Sequence, residues 1–173
     1  MDIVLYPDPR LRKPNAPVEA FDEELAATAR QMFELMYRTK GVGLAAPQVG
    51  INLQMMVYNP EGDALKPEGE TVLCNPRIVR RAKDKEFEEE GCLSFPGVYA
   101  QVQRPASVVV EALNLAGEEF SLELDAWEAR IFQHEFDHLD GILFTDRLTP
   151  ANKTLVKSQL DELETAYRER AQA

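Results

Sequence analysis

The stretch DAWEARIFQHEFDHLDG, residues 125–141, holds both histidines of the chain four residues apart, as His134-Glu135-Phe136-Asp137-His138. Positions i and i+4 share a helix face, so both imidazoles can point the same way with the Glu135 carboxylate beside them. Helical spacing extends on either side. Trp127, Ile131, His134, Glu135 and His138 form one stripe, and Phe132, Phe136 and Leu139 cover the adjoining surface, which predicts a helix buried on most sides. Asp125 is expected to cap its start, with Glu128 at the third helical position, and Gly141 to end it. Two imidazoles and a carboxylate in this pattern point to metal-assisted attack by water on a carbonyl.

Working outward, Asp22 is placed to cap a helix from Glu23 to about Lys40, with Leu25, Ala29, Met32 and Met36 at helical spacing and Gly41 as its stop. GVGLAAPQVG, 41–50, reads as a loop, and EGDALKPEGE, 61–70, as a second, exposed one. Strand-like stretches are Leu53–Tyr58, Thr71–Cys74, Arg77–Arg81, Glu86–Glu90, Ser107–Leu115 and Glu119–Leu124, the last two joined by a turn at Asn114–Gly117. A final helix is expected over about Pro150–Ala171, with Leu155, Leu160 and Leu163 on its apolar side. The pattern predicts an α+β fold: mostly antiparallel β-sheet packed around the central metal-motif helix, with an N-terminal and a C-terminal helix.

The chain has 173 residues, 45% of them hydrophobic, enough for one domain over 1–173 with a core that needs no disulfide. No apolar run is long enough to span a membrane. The opening residues, MDIVLYPDPR, have neither the basic nor the apolar region of a secretory signal, so Cys74 and Cys92 are read as reduced thiols. The expected location is cytoplasmic, or an organelle stroma or matrix if a transit peptide has been removed. A net charge of −11 works against DNA and non-specific nucleic-acid binding, although it leaves room for a local basic patch.

Catalytic zinc-type sites take three protein ligands, and the helix supplies two. The extension H-E-x-x-H-x-x-G-x-x-H is met at Gly141 but fails at Phe144. The third ligand is therefore Cys, Asp or Glu. Glu162 and Glu164 are one option, as in metalloproteases with a distal glutamate, but they lie in the charged run DELETAYRER. Cys92, in EEEGCLSFPG, is preferred, because Gly91 and Pro96-Gly97 make an irregular turn that can aim a thiolate inward. Cys74, without such a context, reads as a small buried residue.

GVGLAAPQ (41–48), EGCLS (90–94) and QHEFDH (133–138) resemble, in this order and spacing, the three signature motifs of the peptide deformylases. The resemblance covers essentially the whole chain. It implies hydrolytic removal of the N-formyl group from the N-terminal methionine of new polypeptides. It also implies one divalent metal, Fe²⁺ with Zn²⁺ or Ni²⁺ as substitutes, held by Cys92, His134 and His138. Metal-bound water is the implied nucleophile, Glu135 the acid and base, and Gln48 and the Leu93 N–H the donors to the tetrahedral oxygen. Gly43 would offer main-chain hydrogen bonds to the substrate, with Gly41 and Gly43 leaving room for its backbone. Val42, Tyr99, Trp127 and Ile131 are candidates for the methionine pocket. Asp137 would either orient a ligand or lie exposed, and Arg104 would pair with one of Glu88, Glu89 or Glu90.

Many members carry arginine where Tyr99 stands and cysteine where Ile131 stands; SFPG with Tyr99 is similar to the plant-organelle and cyanobacterial subgroup. The implied partners are N-formyl-methionyl nascent polypeptides. Some members also dock on the ribosome through a basic C-terminal helix, but residues 151–173 carry as many acidic as basic side chains, so charge alone does not predict that docking here.

Overall fold

The computed structural model describes all of residues 1–173. Helix α1, Glu23–Arg38, begins where Asp22 accepts the Leu25 N–H at 3.0 Å, the expected cap. Its last turn closes with Lys40, not Gly41, in the left-handed conformation (φ 60°). The 41–50 stretch is not all loop. It contains strand β1, Gly43–Ala45, followed by a short 3₁₀ turn, Ala46–Val49.

β1 is the edge of a five-stranded antiparallel sheet ordered β1-β2-β3-β6-β7, with β2 at Met55–Tyr58, β3 at Thr71–Arg81, β6 at Ser107–Leu113 and β7 at Glu119–Asp125. The two strands expected at 71–74 and 77–81 are one, because β3 runs through Pro76 with a shift of register between Cys74 and Arg77. There Asn75 takes a positive φ of 50°, and its side chain bonds both the N–H and the carbonyl of Val18. A bulge removes the ladder bond that proline cannot donate.

A separate two-stranded ribbon pairs β4, Lys85–Cys92, with β5, Phe95–Pro105. β5 was not anticipated. Its pairing jumps from Gly91–Tyr99 to Cys92–Phe95, so Pro96, Gly97 and Val98 bulge out. Pro96 and Gly97, which break helices and strands, hid a regular alternation in which Val98, Ala100, Val102 and Arg104 point inward.

Helix α2, Ala126–Leu139, lies between the sheet and the ribbon. Ala129, Ile131, Phe132 and Leu139 pack on Met56, Tyr58, Leu73 and Val110 of the sheet. On the other side Arg130 donates to Glu90 and to the Val102 carbonyl, and Gln133 to the Pro105 carbonyl. The expected cap differs: Asp125 precedes the helix, but its side chain accepts no capping bond. Glu128 accepts the Tyr58 hydroxyl at 3.3 Å instead of closing a capping box. The C-terminal end is as expected, with Gly141 at φ 70° donating to the His138 carbonyl.

Helix α3, Pro150–Gln172, covers the ribbon with Val156 and Leu160, beside Leu11, Phe95, Val98 and Phe144. Leu155, assigned to the apolar side, is 75% exposed; the buried stripe starts one residue later. No helix is long and apolar enough to cross a membrane.

Candidate metal centre

The turn joining β4 to β5 brings Cys92 to α2. The Cys92 thiol and one ring nitrogen each of His134 and His138 all lie within 4.8 Å of one another, and Cys92 Sγ is 3.4 Å from His138 Nε2. Donors at that mutual spacing can surround a single ion at bond lengths of about 2.0–2.3 Å. His134 Nδ1 sits 2.8 Å from Glu90 Oε1, which leaves Nε2 for the centre, the second partner that a ligating imidazole needs. His138 Nδ1 is buried without a partner. Burial, reinforced by nearby positive groups, holds His138 well below the ordinary imidazole range, the neutral form in which it can ligate. This is the one three-donor cluster of its kind, and Glu162 and Glu164 take no part in it. Glu162 is exposed, and Glu164 accepts the Tyr6 hydroxyl at 2.7 Å.

Glu90 anchors a wider buried network. It accepts Arg104 Nε at 2.6 Å, Arg104 Nη2 at 2.9 Å and Arg130 Nη1 at 2.9 Å. Arg104 also donates to Asp137, which in turn receives Arg147. Asp137 is therefore buried and paired rather than exposed. Burial, the largest influence on Glu90, would raise its pKa, but the bonds from His134 and Arg104 outweigh it and hold the carboxyl far below the usual range. Glu90 was singled out in the sequence only as one of three possible partners of Arg104. The signal for its second role was period two: in β4 it falls on the face toward α2.

Glu135 is buried, and its Oε2 has no partner in the chain. Burial pushes its carboxyl up to about 7; the Glu90 charge adds to this, while His134 and Arg104 oppose it. A carboxylate tuned to neutrality can both take and return a proton. Gln48 is buried, its Oε1 accepting the Ala45 N–H at 2.9 Å and its Nε2 aimed at Ser94 Oγ (3.2 Å) and Cys92 Sγ (3.5 Å). Leu93, in the turn after Cys92, donates its N–H to no group of the chain.

Just before β1 the Val42 carbonyl accepts the Asn59 N–H, and at its end the Ala45 N–H turns the other way, to Gln48. Alternation in an antiparallel pair then turns the backbone groups of Gly43 away from β2, toward the cleft. The space beside the two glycines, however, is occupied by the chain's own side chains. A Cβ on Gly43 would lie 2.9 Å from Glu135 Cγ and Oε1, and one on Gly41 2.7 Å from Leu93 Cδ1. A small cavity of about 80 Å³ adjoins His134 and Glu135, lined in part by Val42, Trp127 and Ile131. Tyr99 does not line it. Its ring lies over Gly91, on the outer face of the ribbon, and is 62% exposed.

A family model described as polypeptide deformylase matches residues 1–154. The chain belongs to the polypeptide deformylase family. It is 48% identical over 170 residues to the chloroplastic/mitochondrial peptide deformylase 1B of Arabidopsis thaliana, covering 98% of this chain and 62% of that protein. It is 44% identical to the peptide deformylase of Acidobacterium capsulatum over 95% of both. The chain thus spans about 62% of the length of the curated plant relatives it matches. A plant peptide deformylase crystal structure superposes with a TM-score of 0.97 at 48% identity, covering 100% of this chain and 94% of that one. The deformylase of Plasmodium falciparum gives 0.95 at 42% identity, covering 97% and 98%. The deformylase family is metal-dependent, and the Cys92-His134-His138 cluster is a site of matching chemistry. Similarity to the plant organelle forms agrees with the subgroup read from SFPG and Tyr99.

Proposed function

We propose that residues 1–173 act as one catalytic domain that hydrolyses the N-formyl group from the N-terminal methionine of newly made polypeptides, releasing formate. The observation that carries this reading is the convergence of Cys92, His134 and His138 within 4.8 Å beside an unpartnered Glu135 oxygen. A thiolate with two imidazoles suits a borderline-soft divalent ion, which we take to be Fe²⁺ with Zn²⁺ or Ni²⁺ as substitutes. Cys92, His134 and His138 would hold it, and when bound it supplies the Lewis acidity that activates water and polarises the formyl carbonyl.

The chain's own residues do the rest. Glu135 Oε2 takes a proton from the attacking water and returns it to the leaving amine nitrogen. Gln48 Nε2 and the Leu93 N–H face the oxygen that gains charge in the tetrahedral species; one such donor is worth about 3 kcal/mol. The edge groups of Gly43 bond the substrate backbone, a mode that reads peptide and tolerates many sequences. Val42, Trp127 and Ile131 wall the cavity for the methionine side chain. A reducing compartment, bacterial cytoplasm or organelle stroma, suits the two free thiols.

The test is formate release from an N-formyl-methionyl peptide, run anaerobically with Fe²⁺ and again with Zn²⁺ or Ni²⁺. Release with at least one metal is expected. No release with any of the three would overturn the reading.

A further inference from the structure

The serine that closes EGCLS, Ser94, has no part in the reaction set out above, yet it is fully buried against one of the participants. Gln48 Nε2 donates to Ser94 Oγ at 3.2 Å, and both side chains are closed off from solvent. A primary amide has one acceptor oxygen and two N–H donors. The oxygen is committed: Gln48 Oε1 accepts the Ala45 N–H at 2.9 Å, and that bond decides which end of the amide faces the ligand set. Of the two Nε2 hydrogens, one goes to Ser94. The other points to Cys92 Sγ, at 3.5 Å the longer contact and to a weaker acceptor. Only this second hydrogen can turn to a substrate oxygen without leaving a buried hydroxyl unbonded.

The backbones on both sides of this bond are fastened by the N-terminal segment. The Val4 N–H donates to the Gln48 carbonyl at 2.7 Å, and the Tyr6 N–H to the Ser94 carbonyl at 2.8 Å. One short stretch thus ties the 3₁₀ turn of Gln48 to the ribbon turn that holds both Leu93 and Ser94. We propose that Ser94 is a positioning residue: its hydroxyl takes one hydrogen of the Gln48 amide and thereby aims the other at the formyl oxygen as that oxygen gains charge. The inference rests on the reaction proposed above. Ser94 touches no reacting atom and acts only through Gln48. A donor of this kind has its full effect only when it is set in place before the charge develops. Without the hydroxyl the amide keeps a single anchor, at Ala45, about which it can swing.

The test is a double-mutant cycle on the full chain, loaded with the metal that supports formate release, with kcat and KM measured for an N-formyl-methionyl peptide. Ser94→Ala should lower kcat about tenfold with KM unchanged, as expected when an interaction made only in the transition state is weakened. Metal content per chain should match that of the parent. Gln48→Ala should lower kcat about 10²-fold. Adding Ser94→Ala to it should cost less than about a further twofold, because the group that Ser94 positions is gone. A second readout needs no turnover. The Gln48 side-chain N–H pair, assigned in a nitrogen–proton correlation spectrum by its absence from Gln48→Ala, should exchange with water at least about tenfold faster in Ser94→Ala. An undiminished kcat in Ser94→Ala would overturn the proposal. So would a loss confined to KM, an additive loss in the double variant, a loss of metal from Ser94→Ala, or unchanged exchange of the amide pair. Absence of formate release by the parent chain would overturn the proposed reaction and this role with it, whereas an active parent matched by Ser94→Ala would overturn the role alone.

Discussion

His134 Nδ1 lies 2.8 Å from Glu90 Oε1, so the imidazole on α2 is oriented by a strand of the ribbon rather than by its own helix. The same carboxylate holds Arg104 and Arg130, and the four side chains behave as one buried polar unit. Arg104→Met removes three charge-assisted bonds to the buried carboxylates of Glu90 and Asp137 and should destabilise the fold by about 3–5 kcal/mol, measured by urea unfolding.

The same unit sets an acid limit on stability. Glu90 has its folded pKa depressed relative to an unfolded value near 4.5, so its contribution is complete above that value and drains away as pH falls toward the folded pKa. Unfolding free energy measured from neutral pH downward should drop more steeply for the parent chain than for Glu90→Gln. Parallel curves would show that Glu90 does not carry the effect.

Cys92→Ala should release the metal, read as metal content per chain after gel filtration, and abolish formate release. Glu162→Ala should alter neither. A Cys92 variant that keeps both its metal and its activity would return the distal-glutamate reading to favour.

Glu135→Ala should retain the metal and lose turnover by about 10² to 10⁴-fold, the range for a missing general acid or base. An unchanged rate constant would remove Glu135 from the proton transfers.

Gly43→Ala places a methyl group 2.9 Å from Glu135 Oε1 and 3.0 Å from Ile131 Cγ2. Displacing that carboxylate by a fraction of an ångström should lower turnover by about tenfold or more while metal content stays the same. Equal activity would mean that the helix yields without moving the carboxylate.

The two thiols should differ in chemistry. Burial raises Cys74 to about 11, so it stays protonated at neutral pH. Iodoacetamide should leave it unmodified in the native protein and label it on unfolding in urea, followed by mass spectrometry.

The α2 helix was legible because its period and its histidine pair agree, and α1 because Asp22 and the apolar stripe agree. The ribbon was half legible. Glu86–Glu90 could be read as a strand, but its partner begins with Pro96-Gly97, and only the pairing reveals that the break is a bulge. β1 escaped for a related reason: three residues, one of them glycine, carry too little pattern to separate an edge strand from a loop. In the site, the incomplete ligand set left Cys, Asp or Glu open, and the turn around Cys92 favoured it over Glu162 and Glu164. The exclusion of Tyr99 from the cavity did not, because it depends on which face of an unrecognised strand the ring takes. Asp137 was left open because a carboxylate on a helix looks the same in sequence whether solvated or clamped by two arginines.

Cys92 and His138 are 46 residues apart in the chain, and they meet only because the ribbon folds back on α2. Neither the hairpin nor the helix holds a site by itself. Closing so long a loop is entropically slow compared with forming either element. During synthesis, then, the thiol of Cys92 emerges long before its two imidazole partners, and the donor set is completed only once α2 has been made and has docked. Any ion captured earlier would be held by one thiolate and water, so selection of the metal belongs to a late step of folding.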